Sequence, residues 1–89
     1  MSLLAQLKDA QKDAMRAKDK LRLGAIRMVL AAIKQKEIDE QVTLGDAEIT
    51  SILVKLVKQR KDSESQYRDA GREDLAEVEA NEIKELEAF

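Results

Sequence analysis

The sequence predicts an all-α domain of four helices, with a long third helix folded back on the fourth as an antiparallel hairpin. Three observations carry that expectation. The 89 residues contain no Pro and only three Gly, so little interrupts a helix. Apolar residues recur at three- and four-residue spacings, with no period-two alternation of the strand kind. Charged residues make up 38% of the chain and aromatics 2%, a composition of solvated helices over a core of Leu, Ile, Val, Ala and Met. A chain of this length provides one domain at most, with a small core.

The first helix is expected over 3–17. Ser2 can cap it by accepting from a free amide of the first turn. Leu3, Leu4, Leu7, Ala14 and Met15 form its apolar stripe, and Lys8, Lys12 and Arg16 a basic one that Lys20 continues beyond its end. The second is expected over 19–39, with Asp19 as N-cap. Its segment LRLGAIRMVLAAI (21–33) is interrupted only by Arg22 and Arg27, so it needs cover on most sides and reads as the central helix. Gly24 costs it about 1 kcal/mol of helix propensity relative to Ala, which suggests a close helix contact there.

EQVTLG (40–45) reads as a loop. The third helix, expected over 46–70, opens with Asp46 and Glu48 at its positive end. Ile49, Ile52, Leu53, Leu56 and Val57 form its apolar face. From Lys58 to Gln66 no apolar side chain follows. Ala70-Gly71 is a stop signal, with Gly71 suited to a left-handed position. The fourth helix is expected over 73–88, with Leu75, Val78, Ile83, Leu86 and Phe89 turned inward.

The third helix is as long as the domain is wide. Twenty-five residues span about 37 Å, whereas a compact domain of this size is only about 30 Å across. Its second half therefore cannot be buried all round. With a tight reversal at Gly71, numbers facing each other across the hairpin add to about 142. That register sets Tyr67 near Leu75, Leu56 near Leu86 and Leu53 near Phe89. It also sets Arg60 near Glu82 and Lys55 near Glu87. Glu64 and Arg68 form an i,i+4 pair within the third helix.

Net charge is −2 but unevenly spread. Residues 1–36 carry +6, 37–54 carry −5, 55–72 carry +3 and 73–89 carry −6. Alternating blocks of this kind neutralise each other before they meet a partner. Two basic surfaces remain as nucleic-acid candidates. One is Lys58, Lys61, Arg68 and Arg72 with Tyr67, since phosphates favour Lys and Arg and RNA readers stack bases on aromatic rings. The other is Lys8, Lys12 and Arg16. The competing reading of both is a solvated face held by its own acidic neighbours.

Catalytic chemistry finds no apparatus. There is no Cys and no His, hence no thiolate nucleophile, no imidazole base and no disulfide. Ser63 and Ser65 lie in a charged helix without an orienting base. Glu79 and Glu82 read as exposed carboxylates with no cause for a shifted pKa. No metal-binding loop spacing occurs, and no cofactor motif. The N-terminus lacks the apolar run of a signal peptide, and no stretch is apolar enough to span a membrane. A cytoplasmic location follows as the default.

The segments LGAIRMVLAAIKQKEID and KQRKDSESQYRDAGREDLAEVEANEIKELEAF closely resemble the YqeY family, which is related to the C-terminal region of GatB, the B subunit of the glutamyl/aspartyl-tRNA amidotransferase. The matching features are IRM at 26–28, KQRKDS at 58–63, AGR and DL within 70–75, and the acidic pattern from Glu77 to Glu87. The resemblance implies an all-helical domain, here 1–89, followed in the family by a second, smaller helical subdomain beyond Phe89. It implies a tRNA-gripping role, with chemistry done elsewhere in the enzyme, and a family label of carbon–nitrogen ligase with glutamine as amide donor. Partners would be tRNA or an amidotransferase component. Gly45 departs from the pattern, which commonly has a stronger cap there. The alternative function is a helical protein–protein module, using an apolar edge near Leu86 and Phe89.

Overall fold

The computed structural model describes residues 1–89. Four helices fill the chain: α1 (Leu3–Ala17), α2 (Lys20–Glu40), α3 (Asp46–Asp69) and α4 (Glu73–Glu87). Each lies within about a residue or two of its expected span, the ordinary uncertainty of a helix end. The Ser2 hydroxyl accepts from the Ala5 amide at 3.1 Å, and Asp19 accepts from the Arg22 amide at 3.1 Å. Gly45 has no side chain to cap α3, but Glu48 reaches back to accept from the Gly45 amide at 3.0 Å, which is half of a capping box. Asp46 accepts from the Leu3 amide at 3.0 Å and so ties the starts of α1 and α3 together.

Three helix ends use a left-handed residue. Gly71, at φ 75°, does so as expected. The Arg72 amide donates to the Tyr67 carbonyl at 2.8 Å and the Gly71 amide to the Arg68 carbonyl at 3.0 Å, the paired bonds of a Schellman stop. Lys18 (φ 56°) and Gln41 (φ 54°) end α1 and α2 in the same conformation without glycine's freedom. Neither residue type signals such a stop.

The α3–α4 hairpin is the most extensive helix pairing, and α2 packs against α1, α3 and α4. The expectation of a central second helix therefore holds. The domain measures 41 × 31 × 18 Å. It is elongated because α3, at 24 residues, sets its length. The main core joins Leu3 and Leu7 of α1, Val29 and Ile33 of α2, Leu44 of the loop, Ile49 and Leu53 of α3 and Leu86 of α4. A second cluster packs Ala10 and Ala14 of α1 on Ile26 of α2.

Two inward assignments, the apolar edge and the role of Gly24 need correction. Met15 is 53% exposed and Val78 47% exposed, while Ala10 and Ala76 are buried in their place. Leu86 is buried, as its inward assignment requires, so it cannot form the exposed apolar edge of the alternative reading. Gly24 makes no close helix contact: it is exposed, and a Cβ built on it would meet nothing within 4 Å. The close approach of α1 and α2 is instead made by Ala10 and Ala14. Gly24→Ala is therefore expected to stabilise the domain by about 0.5–1 kcal/mol, read as a higher urea midpoint at unchanged slope. A lower midpoint would contradict the open space found around a Cβ at Gly24.

Candidate nucleic-acid interface

The candidate residues sort by what their charges already meet. Arg68 donates to Glu73 at 3.1 Å and to Glu64 one turn earlier. Both bonds hold its guanidinium above the ordinary arginine range, the Glu64 bond most. Arg72 donates to both carboxylate oxygens of Asp74, at 3.2 and 3.1 Å. That contact raises Arg72 and holds the Asp74 carboxyl below its usual range. Tyr67 is half-buried beside them. The cationic groups at the hairpin tip thus meet carboxylates of their own chain. Arg16 likewise pairs with Asp13 at 3.3 Å.

Lysines behave differently. Lys36 pairs with Glu40 at 3.8 Å, and no other lysine enters an ion pair; of the arginines, only Arg27 stays out of one. The guanidinium fork suits bidentate capture by carboxylates, whereas an ammonium on a flexible stem stays hydrated. Two groups of free ammoniums border grooves. Lys8 and Lys12 of α1 and Lys34 of α2 line one groove of about 420 Å³. Its floor is Leu4, Leu30 and Ile33, and Glu37 closes one end. The second groove, also about 420 Å³, runs between α3 and the end of α4. Leu53 and Leu86 form its base, Val54, Val57 and Phe89 its walls, and Lys58, Lys61 and Glu87 its border.

Lys34 does not stand out in the sequence. Its one signal is the +6 excess of residues 1–36, and pairing it with Lys8 needs the α1–α2 packing. Of the two cross-hairpin pairs expected, Arg60 meets Glu82 at 3.1 Å. Lys55 and Glu87 form none, because Glu87 is carried round to the Lys58 side of α3.

Arg60 is the hub of the hairpin's polar middle. It donates to Glu82, lies 3.7 Å from Glu79, and its other end contacts the Met28 sulfur on α2. Glu79 corrects the expectation of ordinary carboxylates here. Burial is the largest cause raising its pKa and the neighbouring Glu82 charge adds to it, with Arg60 opposing. Its Oε2 is buried and accepts no hydrogen bond. Arg22 pairs with Glu85 at 3.4 Å and lies 5.8 Å over the Phe89 ring, a cation–π contact that fixes the end of α4 on α2.

Residues 4–89 match the family model described as Yqey-like protein. The chain belongs to the YqeY family. Among curated proteins of this kind, the Altered inheritance of mitochondria protein 41, mitochondrial, of Kluyveromyces lactis is 48% identical over 87 residues, covering 97% of this chain and 47% of that protein. The same-named proteins of Vanderwaltozyma polyspora and Clavispora lusitaniae are 45% and 38% identical, over 93% and 99% of this chain and 45% and 51% of their own lengths. The chain spans about half the length of the curated relatives it matches. Those names place the fungal proteins in mitochondria. In this chain, no helix is long and apolar enough to cross a membrane.

Proposed function

We propose that this YqeY domain is a non-catalytic accessory module that binds RNA, with tRNA as its partner and tRNA-dependent amidation as the setting drawn from the family resemblance. The observation that supports it most is the split between arginines and lysines. The arginines are largely consumed by internal carboxylates, while Lys8, Lys12, Lys34, Lys58 and Lys61 stand free beside concave surfaces. Free ammonium groups on a rigid helical frame are what phosphate contact requires. The carbon–nitrogen ligase label is read as association: the module holds, and chemistry proceeds on another protein. The cytoplasm is the compartment this reading assigns, alongside mitochondrial relatives.

Fluorescence anisotropy with labelled tRNA tests this. With three or four phosphate contacts, affinity is expected to fall about 30- to 80-fold between roughly 50 and 200 mM salt. An absence of binding at the lower salt would sink the proposal.

A second reading has its own observation. The α3–α4 groove has apolar walls, and Val54 on it is 64% exposed. Helical protein partners dock in such grooves. Affinity capture that recovers a stoichiometric protein and no RNA would favour this reading over the first.

A further inference from the structure

The geometry points to the α1–α2 groove as the RNA-contact surface: Lys8 and Lys12 on one wall and Lys34 on the other form a clamp for the phosphodiester backbone, indifferent to base sequence. This rests on the RNA-binding reading above and gives it a place and a mode. Lys8 and Lys12 are i and i+4 on α1, one turn of about 5.4 Å apart, and both are exposed. Lys34, also exposed, lines the same groove from α2. The two walls are held at fixed spacing by the short Lys18–Asp19 reversal and by Ala10 and Ala14 packed on Ile26. The cations are therefore placed before any ligand arrives, which lowers the ordering cost of binding.

The local acids do not cancel them. Glu37 is the sole carboxylate lining the groove, and its Oε2 accepts from the Leu44 amide at 2.9 Å. Asp13 is held by Arg16. Asp9 neighbours Lys8 in sequence but points about 100° away around the helix and does not line the groove. Arg27, exposed and out of every ion pair, lies two turns before Lys34 on the same stripe of α2 and extends the positive field along it.

The chemistry of the lining decides what is read. Lysine is a point charge without the fork that reads guanine. The apolar floor offers no donor or acceptor to a base edge and the groove has no aromatic ring for stacking; Gln11 is the one neutral polar side chain in its lining. Phosphate contact from three lysines, with a single amide to meet any base edge, is what remains, too little to specify a sequence. At the hairpin tip the reverse holds, since Arg68 and Arg72 would have to leave Glu64, Glu73 and Asp74 before meeting a phosphate.

The test compares two triple variants of equal charge change, Lys8→Gln/Lys12→Gln/Lys34→Gln and Lys20→Gln/Lys55→Gln/Lys84→Gln. Anisotropy is followed against salt with tRNA and with an unrelated structured RNA of equal length. Circular dichroism checks that both variants keep their helices. The groove variant is expected to lose more than tenfold in low-salt affinity. The slope of log affinity against log salt should shrink by about 2–3, since each phosphate that is no longer neutralised removes about 0.7–0.9 from it. The control triple should keep most of the slope, and the wild type should bind the two RNAs within about threefold. Equal losses in the two triples, or an unchanged slope in the groove variant, would overturn the clamp while leaving RNA binding intact. A preference above tenfold between the RNAs would overturn backbone-only reading. Wild-type protein that binds anionic vesicles but neither RNA would overturn the clamp together with the reading it rests on.

Discussion

Arg60→Glu is expected to lower stability by about 3 kcal/mol, which for a domain of this size is a fall of about 12–24 °C in Tm. The side chain is 24% exposed, and its partners Glu79 and Glu82 are 17% and 24% exposed. These groups are neither free surface ions, where the loss would be under about 1 kcal/mol, nor fully buried ones. The substitution removes the cation that Glu79 and Glu82 share and places a third carboxylate between them. It also breaks the link from α3 to Met28 on α2. Adding Glu82→Arg should recover part of the loss, since the pair re-forms with its polarity reversed. Strictly additive effects of the two changes would contradict the register that sets Arg60 against Glu82.

The same variant carries a pH signature. The Glu79 carboxyl has a pKa raised in the folded state, first by burial and then by Glu82. A carboxyl raised on folding binds its proton more tightly in the native state, so its contribution to stability falls as pH rises through the window just above the ordinary glutamate range. Without Arg60 the carboxyl moves higher still. Arg60→Glu protein should therefore regain stability on mild acidification, and by more than the wild type. Asp74, held low by Arg72, acts in the opposite sense, losing stability as pH falls; its exposure keeps that effect small.

What the sequence revealed of this domain follows from the range of the signals. Helix limits, the Ser2 and Asp19 caps and the stop at Gly71 depend on residues within a turn of one another, and all are where local chemistry puts them. The Arg60–Glu82 pair is 22 residues apart, yet the tight turn fixes its register. Lys55 and Glu87 are farther from that turn, and small departures from ideal helix geometry accumulate to a different face. Alanines were the weakest signal. Ala10, Ala14 and Ala76 carry little hydrophobicity of their own and are buried because two backbones come close there, which periodicity in one segment cannot register. Glu79 was missed for the same reason: its desolvation comes from packing against other helices. Lys34 joined Lys8 and Lys12 only through the α1–α2 packing.

Leu7→Ala is expected to cost about 2–5 kcal/mol, the range for a fully buried leucine cut to a cavity. Leu7 is 0% exposed and belongs to the cluster that draws on all four helices. A domain of this length has a total stability of only about 5–13 kcal/mol, so one such cavity removes a large share of it. Met15→Ala, on the same helix, should change stability by less than about 0.5 kcal/mol, because that side chain is mostly in water. The two substitutions read the rotation of α1 directly. Comparable losses at Leu7 and Met15 would turn the helix by enough to carry Lys8 and Lys12 off the groove they share with Lys34. The expected split, with a strong effect at Leu7 and almost none at Met15, fixes both lysines on the wall facing Lys34. Below its lowered transition, Leu7→Ala protein should then keep the wild-type salt slope for RNA, because the cavity lies behind the clamp and not in it.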